Sequence, residues 1–205
     1  RAANSPGTLV PVSTALVVLL TFFSLASPNF LQTANILAIL QATSVNGVLA
    51  VAATLVIITG GIDLSVGTLM TFTAVIAGVV LTYWGMALPF GIAAAIIVGG
   101  CSGFISGTLI ARMKIPPFIA TLGMMLILKG LSLVISGTKP IYFNDTPSFP
   151  LLSTGSLIGA VIPSVPLPNG VLILFILATA ISWVLNRTTL GRYCFALGSN
   201  EEAVR

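Results

Sequence analysis

The sequence predicts an all-α polytopic membrane protein with about six transmembrane helices. Only 12 of the 205 residues are charged, and 57% are apolar, whereas about a quarter of the residues of soluble domains are charged. The charges are also absent over long blocks, 2–62, 64–111 and 146–186. A water-facing surface cannot be built from such blocks, so lipid must be the solvent.

Six stretches are long enough to cross a bilayer, which takes about 20 apolar residues. In chain order they are 9–26, 35–59, 64–84, 87–111, 117–136 and 170–186. Turn-forming residues end them in the same order: Ser27-Pro28-Asn29, Gly60-Gly61, Gly85, Pro116-Pro117, and Gly137 with Pro140, while 163–170 precedes the last. Two alternatives remain open: a cleaved signal peptide for the first stretch, and a re-entrant helix for the polar second stretch.

The basic residues predict the topology. With six spans and a cytoplasmic N-terminus, the predicted outer side of the membrane carries Lys139. The predicted cytoplasmic side carries Arg1, Arg112, Lys114, Arg187, Arg192 and Arg205. This distribution follows the positive-inside rule. It predicts an extracytoplasmic loop at 137–169 and a cytoplasmic segment at 187–205. The basic excess is therefore a topology signal, and we expect no nucleic-acid partner.

The composition also excludes several chemistries. The chain has no histidine, and Cys101 and Cys194 form no Cys-x-x-Cys pair, so we expect no metal site, disulfide or redox centre. Phosphate-loop, nucleophile-elbow and zinc-protease motifs are absent, as is a carboxylate pair within a span. We expect no catalytic residue and no cofactor. If transport is active, its energy must come from another polypeptide.

Small residues recur at four-residue spacing in the fourth span. Gly99, Gly103 and Gly107 form a doubled small-xxx-small pattern, which lets helices approach closely in lipid. We expect tight packing within the chain, with a contact between two copies as the alternative.

Asp63 is the first acidic residue of the chain and lies beside a glycine pair. Gly60 and Gly61 end one helix, and Asp63 stands where it can accept amide hydrogens at the start of the next helix, Leu64-Ser65-Val66-Gly67. We therefore predict an N-cap. The alternatives are an ion or proton relay, which a carboxylate at membrane depth suggests, and docking of a cytoplasmic partner.

Polar residues inside the spans are candidates for a solute path. Lys129 lies about two-thirds of the way through the fifth span and either snorkels to the outer interface or lines a path. The second span carries Gln41, Thr43, Ser44 and Asn46. Such neutral groups suit a hydroxyl-rich solute, but hydrogen bonding between helices is the alternative, and it is slightly favoured.

Several segments resemble one family of transporters. They are Gly60-Gly61-Ile62-Asp63-Leu64-Ser65-Val66-Gly67, the run 114–124 with Lys129-Gly130, and Thr189-Leu190-Gly191-Arg192-Tyr193 followed by Ala196-Leu197-Gly198 and Asn200. Together they are similar to the membrane subunit of ribose- and xylose-type bacterial ABC importers. The matches follow the family's order from about residue 27 onward.

This resemblance implies a mechanism as well as a fold. Family members have about ten spans, work as a homodimer or heterodimer of permease subunits in the bacterial cytoplasmic membrane, and act with a periplasmic or extracellular sugar-binding protein and a cytoplasmic ABC ATPase. The stretch 139–169 would contribute to docking of the binding protein. The coupling residues at the ATPase would be Gly191, Arg192, Tyr193, Gly198, Asn200, Glu201 and Glu202.

Two further points follow from the length. Six spans correspond to the N-terminal portion of such a subunit, so we expect a fragment or the product of a truncated gene. The alternative function is a passive channel or facilitator for small solutes, which six spans with a neutral polar lining would also fit. The sequence shows no Asn-Pro-Ala half-helix repeat to support it.

Overall fold

Most of the chain is helical in the part that the structure describes. The computed structural model describes residues 6–144, 146–163 and 165–200. Within these ranges the helices are α1 Pro6–Ala26, α2 Thr33–Ile58, α3 Val66–Gly78, α4 Leu88–Ala111, α5 Pro117–Ser136, α6 Ser148–Thr154, α7 Leu157–Val161, α8 Asn169–Arg187 and α9 Thr189–Ser199. No strand occurs among the described residues. The predicted all-α polytopic class is confirmed.

Five helices have the length and hydropathy of membrane spans. They are α2, α3 with the π-helical turn Val79–Tyr83 that continues it, α4, α5 and α8. The described apolar part of α1, Ser13–Ala26, is shorter. These five helices and the shorter apolar helix lie at the positions of the six predicted spans.

One packing group consists of α3, α4 and α5. Its centre is formed by Phe72 of α3 with Met124 and Leu128 of α5, and Leu128 is 2% exposed. Val98 of α4 packs against this centre. The three helices meet pairwise, so they form a triangular bundle.

The second packing group consists of α2 and α8, with α6 and α9 at their ends. Small residues again allow close approach, because a Cβ added at Gly47 of α2 would lie 2.6 Å from a methyl carbon of Leu174 in α8. The two groups are joined directly by the segment 59–65 between α2 and α3, so this segment lies at their junction.

The loop 137–169, predicted to be extracytoplasmic, contains two short helices that sequence reasoning missed. Asn169 organises this region: its backbone N–H donates to the carbonyl oxygen of Gly155 at 2.7 Å, and its Oδ1 accepts from the N–H of Leu157 at 2.8 Å. These bonds tie α6 and α7 to the first residue of α8. Both short helices are therefore held at the start of α8.

Close packing in the first group can be tested at Gly91 of α4. A Cβ there would lie 2.5 Å from Cγ of Leu81, which is fully buried. We expect Gly91→Val to lower the stability of the protein by about 1–3 kcal/mol through overpacking. Thermal unfolding in detergent measures this. Gly100→Val is the matched control, because a Cβ at Gly100 meets nothing within 4 Å, and equal losses in both variants would contradict the packing described.

Candidate coupling and solute-path residues

The segment between α2 and α3 begins with a Schellman turn. Gly60 has φ +79°, its N–H donates to the carbonyl oxygen of Ile57 at 3.0 Å, and the N–H of Gly61 donates to that of Val56 at 3.0 Å. This bonding pattern ends helices with a left-handed residue, which glycine adopts without a Cβ penalty. The glycine pair thus turns the chain sharply out of α2.

Asp63 holds the start of α3 through Ser65. Its Oδ1 accepts hydrogen bonds from the Ser65 N–H at 2.7 Å and from the Ser65 hydroxyl at 2.6 Å. Ser65 is 3% exposed and directly precedes Val66, the first residue of α3. The carboxylate is therefore bonded one residue before the helix rather than within its first turn. Gly67 in that turn has open space where a Cβ would lie.

A cavity of about 710 Å³ opens beside this segment. Its polar lining includes Asp63, Ser65, Ser102, Ser106 and Thr121, with the glycine surface of Gly103 and Gly107. The Oγ1 of Thr121 donates to the carbonyl oxygen of Pro117 at 2.8 Å and lies 3.2 Å from that of Ile62. In the described part of the chain, the buried Oγ of Ser106 has no hydrogen-bond partner. The cavity thus offers neutral hydroxyl groups together with the charged side chains of Asp63 and Lys114.

Sequence reasoning missed Ser102, Ser106 and Thr121. The two serines are spaced four residues apart on α4 and lie one position before Gly103 and Gly107. That spacing puts them on one helix face next to the glycines, so the signal was present in the sequence. The three predicted packing glycines behave differently from one another: a Cβ at Gly99 would contact Thr73 at 3.5 Å, whereas Gly103 and Gly107 have no neighbour within 4 Å.

Helix α9 follows α8 after a tight turn. The Oγ1 of Thr188 accepts a hydrogen bond from the Gly191 N–H at 3.3 Å and caps α9. Arg192 and Tyr193 are exposed, and Tyr193 is 66% exposed. Asn200 directly follows α9. The predicted coupling residues Glu201 and Glu202 lie outside the described residues, as do Arg1 and Arg205 of the topology prediction.

The polar residues of α2 fall on two faces. Gln41 donates from Nε2 to the Ser153 hydroxyl of α6, and the Ser44 hydroxyl donates to the Gln41 carbonyl oxygen at 2.7 Å. Ser44 is 2% exposed, and a Cβ at Gly170 of α8 would lie 2.7 Å from its Oγ. Gln41 thus bonds α2 to α6, whereas Ser44 packs against α8 and bonds within α2.

The remaining candidates for a solute path are exposed. Thr43 and Asn46 lie on the surface of α2, away from the face that carries Ser44. Lys129 is exposed on α5, next to the buried Leu128. The structure therefore does not bring the five predicted residues into one cluster.

Comparison with known proteins identifies the family. Residues 35–205 match the family model described as "Branched-chain amino acid transport system / permease component". The chain belongs to this permease family. The membrane-subunit resemblance predicted from the motifs is confirmed, and the chain is a multi-pass membrane protein of the permease type.

Two similar proteins are named as sugar import permeases. The chain is 40% identical over 194 residues to the ribose import permease protein RbsC of Escherichia coli strain K12. This match covers 93% of the chain and 58% of the relative. It is 33% identical to the fructose import permease protein FrcC of Rhizobium meliloti, over 98% of this chain and 56% of the relative. The chain thus spans somewhat more than half the length of these relatives. No solved structure matches it.

The bonds of Asp63 generate a prediction that separates capping from ion chemistry. Asn keeps an Oδ1 acceptor and loses the charge, whereas Ala loses both. We expect Asp63→Ala to lower stability by about 1 kcal/mol, the net size of one lost hydrogen bond, and Asp63→Asn to lose less than half of that. Thermal unfolding in detergent gives both values. Complete loss of uptake by a well-folded Asp63→Asn variant would instead support an ion or proton relay.

Proposed function

We propose that the chain is the membrane-spanning permease subunit of an ATP-driven, binding-protein-dependent ABC importer for a monosaccharide of the ribose type. The observation that carries the proposal is the 40% identity with a ribose import permease across 93% of this chain. The family description names amino-acid transport, but the relatives named above, and an L-arabinose permease of Azospirillum brasilense that is 31% identical over 99% of this chain, favour a sugar.

The distribution of charge supports a cytoplasmic position for one end of the bundle. The cavity described above joins the α2–α3 segment, Lys114 with Pro116, and Leu197 of α9, so these parts lie at one end. Arg112 follows α4 and Arg187 ends α8 at the same end. Lys139 lines a second cavity of about 250 Å³ with Ser132 and Ser136 at the other end of α5. By the positive-inside rule, the first end faces the cytoplasm of a bacterial inner membrane, and the N-terminus does also.

The ATPase would bind at this end, on α9. This helix exposes Arg192 and Tyr193, and arginine and tyrosine are enriched among residues that dominate protein interfaces. ATP hydrolysis would occur in the partner protein, and its movement would reach the permease through α9. A sugar-binding protein would dock at the opposite end, where α6 and α7 form an ordered surface. A second permease subunit would complete the path.

The solute path would use the exposed polar residues rather than the buried ones. Thr43 and Asn46 are exposed on α2, whereas Gln41 donates to Ser153 of α6 and Ser44 is buried against Gly170 of α8. Neutral hydrogen-bonding groups can replace the water around sugar hydroxyls without an ionic charge. Lys129 on the exposed face of α5 would lie at the path or reach the outer interface.

A charge reversal on α9 tests the ATPase contact. We expect Arg192→Glu to reduce co-purification of the ATPase by about tenfold, because one interface charge pair contributes more than about 1.4 kcal/mol when its partner is buried. Uptake of labelled ribose should fall in parallel. Arg112→Glu is the control, since Arg112 is exposed at the same end but not on α9. Retention of the ATPase by Arg192→Glu, or equal losses in both variants, would contradict the assignment to α9.

A further inference from the structure

Two glycines of α9 lie directly on backbone of other helices. A Cβ added at Gly198 would overlap the carbonyl oxygen of Ile58 in the last turn of α2, and one at Gly191 would overlap that of Leu185 in the last turns of α8. Gly191 and Gly198 are seven residues apart, which is about two helical turns, so they share one face of α9. That face is fastened at one end to α8 and at the other to α2.

The contact with α2 falls at its Schellman turn. The carbonyl oxygens of Val56 and Ile57 accept hydrogen bonds from the glycine pair, and the next carbonyl, that of Ile58, is the one that Gly198 covers. The Cα of Gly198 also lies 3.9 Å from the position of a Cβ on Gly60. Gly198 therefore directs a Cα–H at the Ile58 carbonyl, a geometry that recurs where helices approach closely.

We propose that Gly198 is a positioning residue that makes α9 and the end of α2 move as one body, so that displacement of α9 reaches the segment 59–65. This inference rests on the proposed function, in which the ATPase displaces α9. Backbone meets backbone at this contact. The three atoms nearest to the position of a Cβ on Gly198 all belong to backbone, those of Ile58 and Gly60. Backbone cannot absorb a displacement by changing rotamer, and such packed contacts transmit strain.

The segment that would receive the displacement is linked onward to the other packing group. Asp63 is bonded to Ser65 at the start of α3, and Thr121 of α5 lies 3.2 Å from the carbonyl oxygen of Ile62. Both links border the 710 Å³ cavity. Movement of α9 would thus change the position of α2 relative to α3 and α5. The width of the cavity would change with it.

The experiment compares Gly198→Ala with the wild-type chain in the intact importer, reconstituted with its ATPase and binding protein. Spin labels on the exposed positions Thr54 of α2 and Leu190 of α9 report the distance between these helices, with Cys101 and Cys194 replaced by Ala. In the wild type, we expect the same distance without nucleotide and with a non-hydrolysable ATP analogue. In Gly198→Ala, the distance should shift or broaden, and ribose uptake should fall about tenfold, within the usual range of coupling between sites, while the ATPase is retained.

Two controls isolate the contact. Gly100→Ala makes the same chemical change where a Cβ meets nothing within 4 Å, and Ser199→Ala alters the neighbouring exposed residue without adding bulk. Both should transport normally. Normal uptake with an unchanged distance in Gly198→Ala would overturn the inference alone, as would a nucleotide-dependent α2–α9 distance in the wild type, which needs no variant to fold. A wild-type chain that retains no ATPase would contradict the proposed function itself.

Discussion

The constraint on which the structure depends is that every backbone amide in lipid must find its hydrogen-bond partner within the protein. Helices meet it internally, so the long apolar stretches of the described chain are helical. Hydroxyl side chains meet it in the same way: Thr54, Thr108 and Ser132 each donate to the carbonyl oxygen four residues earlier. Serine and threonine can therefore occur throughout the spans without indicating a binding site.

The same constraint explains why the helix ends carry the distinctive chemistry. A helix end exposes amides and carbonyls that have no partner within the helix, and at the proposed cytoplasmic end three devices meet this need within a short distance. Gly60 and Gly61 use the last carbonyls of α2, Asp63 accepts at the start of α3, and Gly198 of α9 covers the carbonyl of Ile58. The segment 59–65 is thus the place where α2 ends, α3 begins and α9 contacts α2.

Sequence reasoning succeeded where periodicity and turn chemistry carry the signal. Hydropathy predicted the membrane class, and Pro116-Pro117 predicted the start of α5 at Pro117. It missed α6 and α7, because helices of seven and five residues in a proline-rich loop have no hydrophobic period to detect. It could not divide the polar residues of α2, because only the partners Ser153 and Gly170, more than a hundred positions away in the chain, decide which face is buried.

The division of α2 changes how specificity in this permease should be sought. Gln41 and Ser44 are of types that suit sugar recognition, yet Gln41 bonds to Ser153 of α6, and Ser44 packs so closely against α8 that a Cβ at Gly170 would collide with it. An interhelical hydrogen bond in a membrane is worth only about 0.6–2 kcal/mol. We therefore expect the Gln41–Ser153 bond and the packing of Ser44 to fix the register of the helices rather than to hold a solute. A family whose description names amino-acid transport and whose relatives include sugar permeases fits this division. Under the proposed function, the packing residues would serve any solute, while selectivity would depend on the exposed polar groups and on the partner that delivers the solute.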